Sequence, residues 1–337
     1  MPQWPDHSNM RIMQSMNEDS SRGLTSIPDE PPSAWSLLEW NPPTIPVLPV
    51  IAVLLAGWYV LSVLRLRRMG RSWPWWSTVC FLSGCAILGA VMGLSIERYG
   101  FRLFSAFMFQ QLTLSILVPP LLVLGSPGRL LLRSTPHHGS GRWVLAAALA
   151  GLRSRAGALL LHPAVTIPLF LFSYYGLYLS QLFDTIAATW LGHTTLEVFF
   201  LATGLLFVIP ILSTDPLPIR QTNLGRMFDI FVEMPLHVFI GVVLMMAPRP
   251  LIGIFANPPA QWSVDPVRDQ AVAGALAWSY GEPIALATTL IFAVRWRREE
   301  QAETEEREAD NARQEDELAS YNRFLRQLHG DTTDLNP

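Results

Sequence analysis

The chain contains no lysine, and all 24 of its basic residues are arginine. That choice reads as a bias toward GC-rich codons and carries no functional message. Charge of either sign is scarce. Only 15% of the 337 residues are charged, against roughly 25% in a typical soluble domain. Cysteine is nearly missing too. Cys80 and Cys85 sit in one apolar run, about 140° apart around a helix, which makes neither a metal pair nor a Cys-x-x-Cys motif. They read as small buried hydrophobes. There is no Gly-x-Ser-x-Gly, no His-Glu-x-x-His and no phosphate-binding glycine loop, so nothing argues for an enzyme. No basic patch interleaved with aromatics argues for nucleic acid, and no evident repeat favours a small-molecule or ion transporter. The first 44 residues lack the apolar core of a signal peptide. Rich in Pro, Ser and acidic groups, 1–44 is expected to be a disordered tail.

What the chain has in quantity is hydrophobic residues, at 50%. Seven runs approach the ~20 residues that a bilayer core requires. They span about Ile45–Leu66, Trp75–Ile96, Arg102–Leu124, Ala164–Phe183, His193–Leu212, Phe228–Ala247 and Ala271–Val294. Pro119 and Pro120 are expected to bend the third. The stretch 142–161 is apolar but interrupted by Arg153 and Arg155, as in a helix lying on the membrane surface. The remainder, 297–337, is a charged helix or tail. Arginines cluster after the first run, between the third and fourth, at Arg220 and Arg226, and at Arg295, Arg297 and Arg298. Those connections are therefore cytoplasmic. The expectation is an all-α polytopic membrane protein: a seven-helix bundle over 45–296, N-terminus outside, C-terminus cytoplasmic.

Chemistry is sought among polar side chains inside the spans, where burial in lipid is costly. His193 opens the fifth run, with Glu197 one turn on and on the same face. His237 lies mid-way along the sixth, with Glu233 four residues earlier. Glu282 lies mid-way along the seventh, and Asp184 caps the outer end of the fourth. Met108, Gln110 and Gln111 sit in the outer half of the third. His193 reads as a ligand or as a water-contacting interfacial residue. His237 reads as a helix-packing hydrogen bonder, a ligand or a proton relay. His237 and Glu282 are expected to face each other or a shared cavity. Imidazole, carboxylate and thioether together are compatible with copper.

Leu103-Phe104-Ser105, Met108, Thr113-Leu114-Ser115, Pro119 and the run Leu121 to Pro127 occur in order along the third span. His162-Pro163, Gly176-Leu177-Tyr178, Gly192-His193, Asp215-Pro216, Met234-Pro235-Leu236-His237, Asp269-Gln270, Ala277-Trp278 and Gly281-Glu282 follow. This series resembles the CtaG family of cytochrome c oxidase assembly proteins, in its actinobacterial branch. The resemblance covers about residues 45–328. It implies a protein of the bacterial plasma membrane whose partners are haem–copper oxidase subunits and the lipid bilayer, with a role in supplying copper to the copper B centre of subunit I. The chain departs from the family where its third helix usually reads His-Met-x-Gln-His. Here Phe107-Met108-Phe109-Gln110-Gln111 stands instead, and a further family histidine falls at Phe199. Phe cannot ligate copper, and Gln is a poor substitute for imidazole. The donors left for Cu(I) are His193, His237, Met108 and Glu197, although helix rise puts the two imidazoles on the order of 10 Å apart in depth. The alternative is a copper-independent scaffold that kept the fold and a protein partner.

Overall fold

The computed structural model describes residues 27–136, 139–213 and 222–333. Among these there is no strand, only an isolated bridge between Trp40 and Leu94. The helices are α1 (Ala34–Leu38), α2 (Val47–Arg68), α3 (Trp75–Val91), α4 (Ile96–Gly100), α5 (Phe104–Leu112), α6 (Val118–Leu124) and α7 (Pro127–Ser134). They continue as α8 (Ser140–Arg153), α9 (Arg155–Leu160), α10 (Pro163–Leu171), α11 (Leu182–Ala187), α12 (Trp190–Leu212), α13 (Asn223–Met246) and α14 (Pro266–Thr333). Among the described residues, three stretches are long and apolar enough to cross a membrane: Val47–Arg68, Phe104–Ser134 and Trp190–Leu212. Trp75–Val91 is apolar but shorter.

The middle of the Phe104–Ser134 stretch shows how proline shapes the bundle. Pro119 has no N–H to give the carbonyl of Ser115, four residues earlier. The chain loosens into π geometry over Thr113–Leu117 just before it. The Ser115 carbonyl then lies against Gly204 of α12, where any Cβ would collide with it. Ser115 Oγ meets the Tyr174 hydroxyl at 2.9 Å and donates to the Gln111 carbonyl at 2.7 Å. A proline defect and a glycine thus let α5–α6 and α12 approach closely, in the small-residue manner of membrane bundles. The same device joins α13 to α14. A Cβ on Gly241 would lie 2.7 Å from Gly274 O, and one on Gly274 would lie 2.6 Å from Gly241 O.

Side-chain clamps close the other end. Asp269, at the start of α14, accepts from Phe104 N at 2.6 Å and Ser105 N at 3.3 Å, capping α5 from another helix. Gln270 accepts from Leu251 N at 2.7 Å and donates to the Leu244 and Arg249 carbonyls. Asp184 accepts from Gly253 N at 3.0 Å and Ile254 N at 2.9 Å. This pins a short 3-10 turn whose Phe255 stacks on Phe104 at 4.9 Å. Within the stretch read as a disordered tail, the segment from Pro28 to Pro42 is tied to the same end. Trp262 donates to Pro28 O, Tyr99 to Glu30 O and Arg98 to Pro42 O. Residues 1–26 lie outside the described residues.

Candidate metal centre

Two short-range features aim the site. Thr189 caps α12 by accepting from Gly192 N. Gly192 sits where a Cβ would strike the Ile186 carbonyl, so only glycine permits the sharp corner from α11 into α12. That corner turns His193 and Glu197, one helical turn apart, inward. From the opposite side comes α4, a single helical turn between α3 and α5, which brings Glu97.

These three side chains form a group whose ligand atoms all lie within 4.8 Å of one another. His193 Nε2 is 3.2 Å from Glu197 Oε1 and 3.8 Å from Glu97 Oε1. All three are buried, at 2%, 5% and 4% exposure for His193, Glu197 and Glu97. Yet His193 Nε2 and Glu197 Oε1 make no hydrogen bond, although an unpaired buried polar atom is costly. Two carboxylates this close also repel. Burial first, and then the Glu197 carboxylate, push the Glu97 carboxyl well above its usual range, with His193 pulling the other way. A cation among the three would satisfy the orphaned atoms and remove the repulsion.

The surroundings hold these side chains in place. Phe101 stacks on the His193 ring at 3.9 Å, and Phe107 meets it edge-on at 5.3 Å. Gln110 donates to Glu97 Oε2, which leaves Oε1 turned toward His193. Gly100 makes room for Gln110, since a Cβ there would overlap Gln110 Oε1. A narrow cleft reaches both carboxylates, lined also by Ile45, Met92, Trp190 and Thr194.

Of the residues singled out in the sequence, His193 and Glu197 are brought together. Met108 is fully buried in the apolar core. Gln111 is buried and donates to Ser173 O at 3.3 Å. Asp184 fastens a loop through two backbone amides. Glu282 is exposed and lines a separate, mostly apolar cavity of about 60 Å³. Ile230 and Val238 of α13 line that cavity as well. The side chains of Glu233 and His237 lie outside the described residues. Sequence reasoning missed Glu97. It falls one residue beyond the expected end of the second span, and a slightly longer span would have brought it among the intramembrane carboxylates.

Residues 57–299 match the sequence pattern of the cytochrome c oxidase caa3 assembly factor family, Caa3_CtaG. The chain belongs to that family. It is also 34% identical over 316 residues to uncharacterized proteins of Mycobacterium bovis and Mycobacterium tuberculosis, covering 90% of this chain and 46% of each relative. An uncharacterized protein of Mycobacterium leprae is 34% identical over 291 residues, 82% of this chain and 43% of the relative. The chain thus spans less than half the length of these relatives. No solved structure matches it. For a member of the assembly-factor family, the departures noted in the sequence now have positions. Phe107, which the resemblance sets where the family usually has histidine, is the ring set edge-on against His193. Phe199 packs against Phe172 and Phe200.

Proposed function

We propose that this oxidase assembly factor handles copper at the Glu97–His193–Glu197 cluster and supplies it to the copper B centre of subunit I. The observation that carries the reading is the pair of orphaned, buried ligand atoms, His193 Nε2 and Glu197 Oε1, facing each other at 3.2 Å. His193 and Glu197 would hold the cargo, with Glu97 completing the set. Phe101 and Phe107 would keep the imidazole from turning. The narrow cleft beside the carboxylates is where an ion would enter and leave. Membership of the assembly-factor family supports association with an oxidase complex. The test replaces His193 by Ala and Glu197 by Gln in the native host. Copper content and turnover are then measured on the purified oxidase. The expected product is an oxidase that contains haem but has lost copper and activity. A fully active, copper-replete oxidase would overturn the reading.

The replacements Phe107, Gln111 and Phe199 favour a second reading, a copper-independent scaffold for oxidase subunits. That reading predicts that the His193 and Glu197 variants assemble oxidase normally, whereas deletion of the chain does not. In either case we propose seven spans in the bacterial plasma membrane, with the N-terminus outside and the C-terminus cytoplasmic, on the strength of the arginine asymmetry. A cysteine placed near Gln301 should resist an impermeant reagent added to intact cells. Its labelling would overturn that orientation.

A further inference from the structure

We infer that the ion held between Glu97, His193 and Glu197 is a divalent cation of the Cu²⁺ or Zn²⁺ class, and not cuprous copper. This rests on the proposal that the cluster is a metal site. Charge is the first argument. Two carboxylates converge within 4.8 Å in a buried pocket, where an uncompensated charge is costly. A +2 ion balances the pair with both carboxyls ionised and both free to ligate. A +1 ion balances it only if one carboxyl keeps its proton, which takes an oxygen out of the ligand set. Donor chemistry is the second argument. The converging atoms are one imidazole nitrogen and carboxylate oxygens, which suit borderline and harder divalent ions, whereas Cu(I) prefers sulfur.

The arrangement also resembles an exchange site more than a storage site. Three protein ligands leave a fourth position open, as in zinc centres that keep a place for water or substrate. Glu97 and Glu197 both line the cleft, so the open position faces it. Gln110 acts as a positioning residue. By bonding Glu97 Oε2 it orients Oε1 toward the ion, the outer-shell role that tunes metal affinity. Met92 lines the same cleft and offers a thioether, so it supplies the control that separates the two kinds of ion.

The experiment uses the full chain purified in detergent and titrated with Cu²⁺, Zn²⁺ or Cu⁺ alone, the last kept reduced and buffered by a competing chelator. One divalent ion per chain is expected, bound at least tenfold more tightly than Cu⁺. The Cu²⁺ resonance spectrum should show coupling to a single nitrogen, lost in His193→Ala. Glu97→Gln and Glu197→Gln, which keep side-chain shape, should each weaken divalent binding by at least about tenfold. Met92→Leu should leave it unchanged. Gln110→Leu should weaken divalent binding by a smaller factor, and unchanged affinity would remove its positioning role. Tighter Cu⁺ binding that Met92→Leu abolishes would overturn the inference and leave the copper-handling reading intact. Divalent binding indifferent to both Glu variants would overturn the assignment of the ligands. Binding of no ion at all would overturn both the inference and the reading beneath it.

Discussion

Gly241 and Gly274 face each other where α13 crosses α14, and each presents its carbonyl to the other's missing side chain. An alanine at 241 would set its methyl 2.7 Å from Gly274 O and 3.0 Å from Trp278 N. An alanine at 274 would sit 2.6 Å from Gly241 O and 2.8 Å from Met245 N. Ordinary contact begins near 3.4 Å, and the obstructing atoms are backbone, so no rotamer change relieves the clash. The helices must part by on the order of 0.7 Å, and a gap of that size forfeits a quarter to a half of each contact's attraction along the crossing. Each single substitution should therefore cost about 1–3 kcal/mol, the range of overpacking in well-packed interiors. The two costs should not add. Once the first methyl has separated the helices, the second enters space already opened, and the double variant should cost clearly less than the two singles combined. Reversible unfolding in detergent, followed by helix signal for the parent, both singles and the double, measures this. Additive costs, or singles within about 0.5 kcal/mol of the parent, would refute the close crossing.

Asp269→Ala should cost about 1.5–3 kcal/mol, because it strips a charged cap from the buried start of α5. Asp184→Ala should cost less, since one amide it holds is solvent-exposed, and its readout is faster proteolysis between residues 248 and 262. Gly100→Ala should displace Gln110 from Glu97 and lower divalent-ion affinity while leaving the unfolding midpoint within a few degrees of the parent. Normal affinity in that variant would show that Gln110 does not orient the carboxylate. Cys80 and Cys85, both buried, should resist maleimide in folded protein and react fully once it is denatured. Rapid labelling in the native state would contradict the packing of α3.

Helix placement was largely legible in the sequence because apolar runs bounded by Arg and Pro leave few choices. His193 and Glu197 were legible as a pair because i,i+4 spacing alone puts them on one face. Glu97 was not. Its partners are 96 and 100 residues away in sequence, and only the one-turn helix α4 brings it under α12. Asp184 read as a cap on the outer end of the fourth span, and Asp269 only as part of a family motif. Their role as backbone clamps depends on loops whose course no periodicity reveals. Met108 was grouped with His193 as a donor because it sits in the outer half of the third span, at about the depth where His193 opens the fifth. Equal depth does not fix which way a side chain points, and its neighbour Phe107 is the residue that meets the imidazole.

Under the proposed metal-handling role, the cleft beside Glu97 and Glu197 would impose an order of events. Both carboxylates line it, while the imidazole lies beneath Phe101 and beside Phe107. An arriving ion would meet the carboxylate oxygens first and the imidazole nitrogen last. On departure it would part from His193 while the carboxylates still held it. The aromatic wall around that ring would then set the slow step of release, leaving a receiving protein to compete with the two carboxylates. Softening that wall would change how fast the ion moves before it changed how tightly the ion is held.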